Sequence, residues 1–224
     1  MNPSPTPRVK ICCIASIEEA RLAIQYGASA LGLVSAMPSG PGPIPEERIA
    51  AIAPAIPPGI ASFLLTSKQD APSIIAQQRR THVTTLQLVD AISVDTYKQL
   101  RDELPGIALV QVIHVLGEDS ITEAAWVSSY VDMILLDSGN PKLAVKELGG
   151  TGRTHDWNIS KRIREAVPVP MFLAGGLQQA NVADAVRQVH PYGLDLCSGV
   201  RTDGRLDEKK LAAFFSALST AVQL

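Results

Sequence analysis

Residues 9–36, VKICCIASIEEARLAIQYGASALGLVSA, contain one complete β–α–β unit. VKICCI (9–14) and SALGLVSA (29–36) are apolar runs, and SIEEARLAIQYG (16–27) between them is amphipathic. Ser16 stands where an N-cap belongs and Gly27 where a helix stops. Continuous apolar runs are expected of strands buried on both faces of a parallel sheet, and parallel neighbours need a crossover helix.

The unit repeats to the end of the chain. Further strands are read at IASFLLT (60–66), TTLQLV (84–89), IALVQVIHV (107–115), VDMILLD (131–137), VPMFLAGG (169–176) and GLDLCSGV (193–200), with amphipathic stretches between them. Eight β–α units in 224 residues predict an α/β chain, a (β/α)8 TIM barrel forming a single domain over 9–224. A doubly wound open sheet is the competing arrangement. Residues 1–8, MNPSPTPR, carry no apolar segment and read as a disordered N-terminal tail in place of a signal peptide.

Composition narrows the function. Apolar residues make up 46% and charged residues 19%, a globular balance, and the net charge of −2 comes with no basic run. Nucleic acid and acidic membranes are therefore poor partners. The longest apolar stretch is cut by Pro54, Pro57 and Pro58, so no membrane span is expected. Three cysteines without C-x-x-C spacing fit neither a disulfide framework nor a zinc site, and point to a reducing cytoplasm.

In a barrel of this kind the chemistry sits where strands end and helices begin. The residues there are Cys12, Cys13, Ser35, Thr66, Gln87, His114, Asp137, Gly175, Gly176, Ser198 and Gly199. Two glycine-bearing clusters, LAGGL (173–177) and CSGVRTDGR (197–205), follow the last two strands. Glycine admits close approach of backbone N–H groups to an anion, and this corner is the usual phosphate cradle of the fold. Gly175, Gly176, Ser198 and Gly199 are the expected phosphate ligands; the plain alternative is that the glycines only turn the chain. The loop GGTGRTHDW (149–157) reads as a mobile lid or substrate loop, or else as a flexible linker.

Taken together, KIC ending strand 1, ILLD ending strand 6, GGTG followed by DW, LAGGL followed by NV, and YGLDLCSGV resemble the phosphoribosylanthranilate isomerase family. The resemblance runs from residue 9 to about residue 218. It implies a (β/α)8 barrel that catalyses an Amadori aldose–ketose rearrangement of N-(5-phosphoribosyl)anthranilate in tryptophan biosynthesis, with no cofactor and no metal. It further implies a thiolate base at Cys12 and a carboxylic acid at Asp137. Those residue types suit the reaction: a neutral carboxyl can protonate the ring oxygen, and a thiol of ordinary pKa ~8.5 needs only a modest shift to take a proton from C2.

Lys10, Gln87, His114, Gly149, Gly150 and Arg201 complete the expected substrate-binding set. Strand alternation puts Lys10 and Cys12 on one face and Cys13 on the other. Adjacent cysteines are poorly placed for a disulfide, which argues against redox work. The bland reading of both is as small buried hydrophobes.

Several positions depart from the family pattern. Cys13 stands where the family usually has glycine, and the loop after strand 2 has no arginine before Arg48. QLVD (87–90) replaces Gln-Leu-His-Gly, His114 takes a strand 5 arginine position, and Arg201 replaces a glutamate. His114 or Arg201 would then supply the positive charge for the substrate carboxylate. Two other readings stay open: a different ribosyl-phosphate amine or phosphosugar as substrate, and a non-catalytic phosphosugar-binding relative. Monomer and homodimer are both compatible with the sequence.

Overall fold

The computed structural model describes residues 6–222. Eight parallel strands close a barrel in sequence order: β1 (Arg8–Ile11), β2 (Ala30–Val34), β3 (Ala61–Thr66), β4 (Thr85–Leu88), β5 (Ala108–His114), β6 (Met133–Asp137), β7 (Met171–Leu173) and β8 (Gly193–Leu196). The β1–β8 ladder, from Arg8 opposite Gly193 to Ile11 opposite Leu196, makes the closure and excludes the open sheet. Of the tail expected over 1–8, residues 1–5 lie outside the described residues, and Arg8 already belongs to β1.

A helix follows each strand: α1 (Ile17–Gln25), α2 (Glu46–Ile52), α3 (Ala71–Thr81), α4 (Val94–Glu103), α5 (Asp119–Val127), α6 (Trp157–Ala166), α7 (Val182–Val189) and α8 (Glu208–Val222). Their starts are chemically marked. The Ser16 hydroxyl accepts the Glu19 N–H, and Asp70, Ser93 and Asp156 cap α3, α4 and α6 in the same way.

Alternation along each strand divides the buried side chains into two sets. On β5 and β6, Leu109, Ile113, Ile134 and Leu136 pack outward beneath the helices, and Val110, Val112 and Leu135 fill the barrel interior. Phe63 and Phe172 meet in that interior with ring centroids 6.3 Å apart. The interior also holds a charge pair. Lys10, fully buried, donates to Asp195 Oδ1 at 2.8 Å across the β1–β8 ladder and lies 5.4 Å from the Phe63 ring.

Candidate active site

The C-terminal ends of the strands open on a cleft of about 680 Å3, measured to its mouth. Cys12 reaches it from the end of β1 and Asp137 from the end of β6, three strands away around the barrel. Gln87, Gly149, Gly150, Gly175, Gly176 and Ser198 line the same cleft.

Cys12 is held from below and behind. Its N–H donates to the Leu196 carbonyl at 2.7 Å. Across the barrel wall Gly32 leaves room for it: a Cβ there would stand 2.9 Å from Cys12 Sγ and 3.1 Å from Lys10 Nζ. Only glycine on β2 lets the ammonium and the thiol share that space. The Cys12 thiol is pulled below its ordinary range, chiefly by the neighbouring Cys13 side chain and, against the cost of burial, by the Lys10 ammonium. Lys10 stays cationic because Asp195, Cys12 and Cys13 together outweigh the burial that opposes its charge.

Asp137 is shifted the other way. Burial raises its carboxyl above the ordinary aspartate value, overcoming the Ser138 N–H that donates to Oδ1 at 2.7 Å and the nearby His114. The roof over this carboxyl is the loop after β6. A Cβ on Gly149 would lie 2.5 Å from Asp137 Oδ2, and one on Gly150 would lie 2.3 Å from Pro41 Cδ in the loop after β2. The two glycines therefore allow the loop to close on both the acid and the opposite rim. Farther along, the chain at 152–154 packs on Gly175 and Gly176, whose φ values are +84° and +59°.

Four of the expected residues do not line the cleft. Lys10 lies beneath it in the Asp195 pair. His114 Nε2–H donates to the Val89 carbonyl at 3.0 Å, and the loop after β6 covers the ring, with an added Gly139 Cβ only 2.5 Å from Nδ1. Gly199 serves packing, since a Cβ there would stand 2.0 Å from the Leu177 carbonyl oxygen. Arg201 is engaged elsewhere. Its Nη2 donates to the carbonyls of Cys12 (3.0 Å) and Cys13 (2.7 Å), and both terminal nitrogens reach Glu19. It is a positioning residue for the turn that carries Cys12.

Cys13 departs from the alternation expected of it. β1 ends at Ile11, and Cys13 has φ +63°, a left-handed conformation at the position where glycine is usual. That turn keeps its side chain at the cleft, where Sγ stands 2.7 Å from Cys197 Sγ.

Sequence reasoning also missed Asp195, Thr151 and the segment Ser39–Pro41, all of which line the cleft. Asp195 had a signal: it lies on β8 opposite a lysine on β1. No lysine or arginine lines the cleft among the described residues. Gln87 is buried there with Oε1 lacking a partner.

The model of the N-(5'phosphoribosyl)anthranilate (PRA) isomerase family matches residues 9–217. The chain belongs to this family. It is 37% identical over 209 residues to N-(5'-phosphoribosyl)anthranilate isomerase 2 of Methanosarcina mazei, covering 92% of each chain. The isomerase of Microcystis aeruginosa is 36% identical over 213 residues, 94% of this chain and 97% of that one. Among solved structures, the phosphoribosyl anthranilate isomerase of Thermus thermophilus superposes with a TM-score of 0.79 at 26% identity, over 95% of this chain and 98% of that one. Family membership makes the protein an isomerase with a TIM-barrel scaffold.

Proposed function

We propose that the protein isomerises N-(5'-phosphoribosyl)anthranilate to the corresponding 1-deoxyribulose 5-phosphate, the Amadori step of tryptophan biosynthesis, without a cofactor or metal. The observation that carries this reading is one cleft holding a thiol shifted down, a carboxyl shifted up and a glycine-built corner after β7 and β8.

The phosphate enters at Gly175, Gly176 and Ser198, where backbone N–H groups and no cationic side chain receive it. This orientation puts the ribose between Asp137 and Cys12. Asp137, whose protonated form burial favours, gives its proton to the ring oxygen; the ring opens and the anilino nitrogen takes up the positive charge as an iminium. The Cys12 thiolate then removes the C2 proton, and the enamine tautomerises to the ketone. Gln87 Oε1, lacking a partner, accepts the anilino N–H. The aromatic ring lies against Met37, Leu65 and Val89, and its carboxylate faces backbone N–H groups of the 37–43 loop. Lys10 and Asp195 set the field under Cys12, and Arg201 sets its backbone.

The three free thiols suit a reducing cytoplasm, the compartment we assign. Among the described residues no helix is long and apolar enough to cross a membrane. Expression in a tryptophan auxotroph lacking only this isomerase step tests the assignment. Growth without tryptophan is expected; soluble, abundant protein with no growth would refute it.

A further inference from the structure

We propose that Cys13 and Cys197 are a reversible redox pair, oxidised by a peroxide to a disulfide that ties the turn after β1 to the phosphate loop after β8 and slows the enzyme. The bond is independent of the substrate assignment; its effect on turnover rests on the isomerase reading above.

The geometry comes from two strand ends. The β1–β8 ladder runs out at Ile11 and Leu196, so Cys12 and Cys197 are the next residues on each side. The left-handed turn at Cys13 then brings its sulfur to the β8 side of the rim. At 2.7 Å the two sulfurs lie about 0.7 Å beyond S–S bonding distance (~2.05 Å). Cys12 does not compete for Cys197, because its own sulfur sits against Gly32 on β2. Around Cys13 the packing is close: the Pro41 carbonyl is 3.5 Å from Sγ, and a Cβ on Gly42 would lie 2.6 Å from Cys13 Cβ. The two cysteines thus join three of the loops that frame the cleft.

The chemistry divides by exposure. Cys197 is half-buried and meets the oxidant first, whereas Cys13 is buried. The Cys197 sulfur attacks one peroxide oxygen, the O–O bond breaks, and a sulfenic acid and one water (or alcohol) result. Cys13 Sγ then attacks that sulfur, the S–O bond breaks, and the thiol proton leaves with the hydroxyl as water. Two thiols lose two electrons and the peroxide gains them. A thiol reductant reverses the step.

Oxidation also removes a hydrogen from beside the base. In the reduced protein Cys13 is held protonated beside the sulfurs of Cys12 and Cys197, the latter 2.7 Å away. As a disulfide it pins the left-handed turn that follows Cys12 to the loop after β8 and leaves no thiol proton beside the base, so turnover at neutral pH falls.

The test uses the full chain as Cys12→Ser, in which Cys13 and Cys197 are the only thiols, and the wild type beside it. Each is treated with one equivalent of hydrogen peroxide, alkylated after denaturation, and mapped by mass spectrometry. The variant is expected to lose two hydrogens, to resist alkylation at both sites, and to yield a Cys13–Cys197 peptide that dithiothreitol cleaves. Two alkylated thiols, a link between two chains, or a wild-type link through Cys12 would overturn the proposal. Wild-type turnover should fall as the link forms and return on reduction. Linked protein turning over at the reduced rate would overturn the switch. No turnover by fully reduced wild type would refute the isomerase assignment instead and leave the linkage result standing.

Discussion

Gly149→Ala probes the roof over the acid with a single methyl group. Gly149 has φ +126°, a region essentially closed to other residues, and holding alanine there costs ~1–3 kcal/mol. The lower entropy of the unfolded alanine chain returns ~0.4–1 kcal/mol. The added Cβ would also stand 2.5 Å from Asp137 Oδ2, closer than real Cβ contacts, so the loop must lift or the carboxyl must move. A net loss of roughly 0.6–2 kcal/mol in the docked loop corresponds to about a three- to thirtyfold fall in kcat/KM. Because lifting the loop relieves the strain locally, Tm should change little. Gly106→Ala is the control: φ is +85° there, nothing lies within 4 Å of the added Cβ, and the residue sits before β5 on the opposite rim. It should lower Tm by the strain alone, ~1–2 kcal/mol, and leave kcat/KM unchanged. Steady-state kinetics and calorimetry on both variants decide the matter. Gly149→Ala turning over at the wild-type rate would refute the closed-roof reasoning.

Three further predictions concern the groups around the cleft. Asp137→Asn should abolish turnover yet melt higher than wild type at pH 7. Folding raises this carboxyl's pKa, so its protonated form favours the fold, and that stability is lost as pH rises from the ordinary value of 3.8 through the folded one. The Tm gap should therefore close below pH 3.8, and a variant less stable than wild type at pH 7 would contradict it. Cys13→Gly should move the acid limb of the kcat/KM–pH profile to higher pH, since the thiol that supports the Cys12 thiolate is gone; an unmoved limb would remove Cys13 from that role. Arg201→Met should cost ~1–3 kcal/mol by leaving the buried Cys12 and Cys13 carbonyls without their donor and the half-buried Glu19 without its cation. A raised KM with unchanged stability would instead return Arg201 to substrate binding.

The sequence carried the barrel because each strand is a buried run long enough to see without its partners. Seven of the observed strands fall inside the stretches read from the sequence, and β1 starts one residue early. Strand ends then brought Cys12, Gln87, Asp137, Gly175, Gly176 and Ser198 to one cleft, because barrel topology alone converts position in a strand into position at the rim. Arg201 was illegible for the opposite reason. Glu19 and the carbonyls of Cys12 and Cys13 lie more than 180 residues away in the chain, and the local bond to the Gly204 carbonyl leaves no side-chain pattern that marks a guanidinium as already engaged. Cys13 was misplaced because strict alternation was carried past Ile11, where the ladder had ended. The glycine usual at that position was the available clue, since glycine there signals positive φ.

The central claim is that Cys12 is the base that removes the C2 proton. Turnover of N-(5'-phosphoribosyl)anthranilate by wild type and Cys12→Ser, followed side by side under reducing conditions, tests it most directly. A serine hydroxyl keeps the hydrogen bonding but is too weak an acid to ionise near neutrality, and general base catalysis is typically a ~10²–10⁴-fold effect. The expected result is product from the wild type and a kcat at least about a hundredfold lower for the variant, with KM little changed. Equal kcat values for the two proteins would contradict the account.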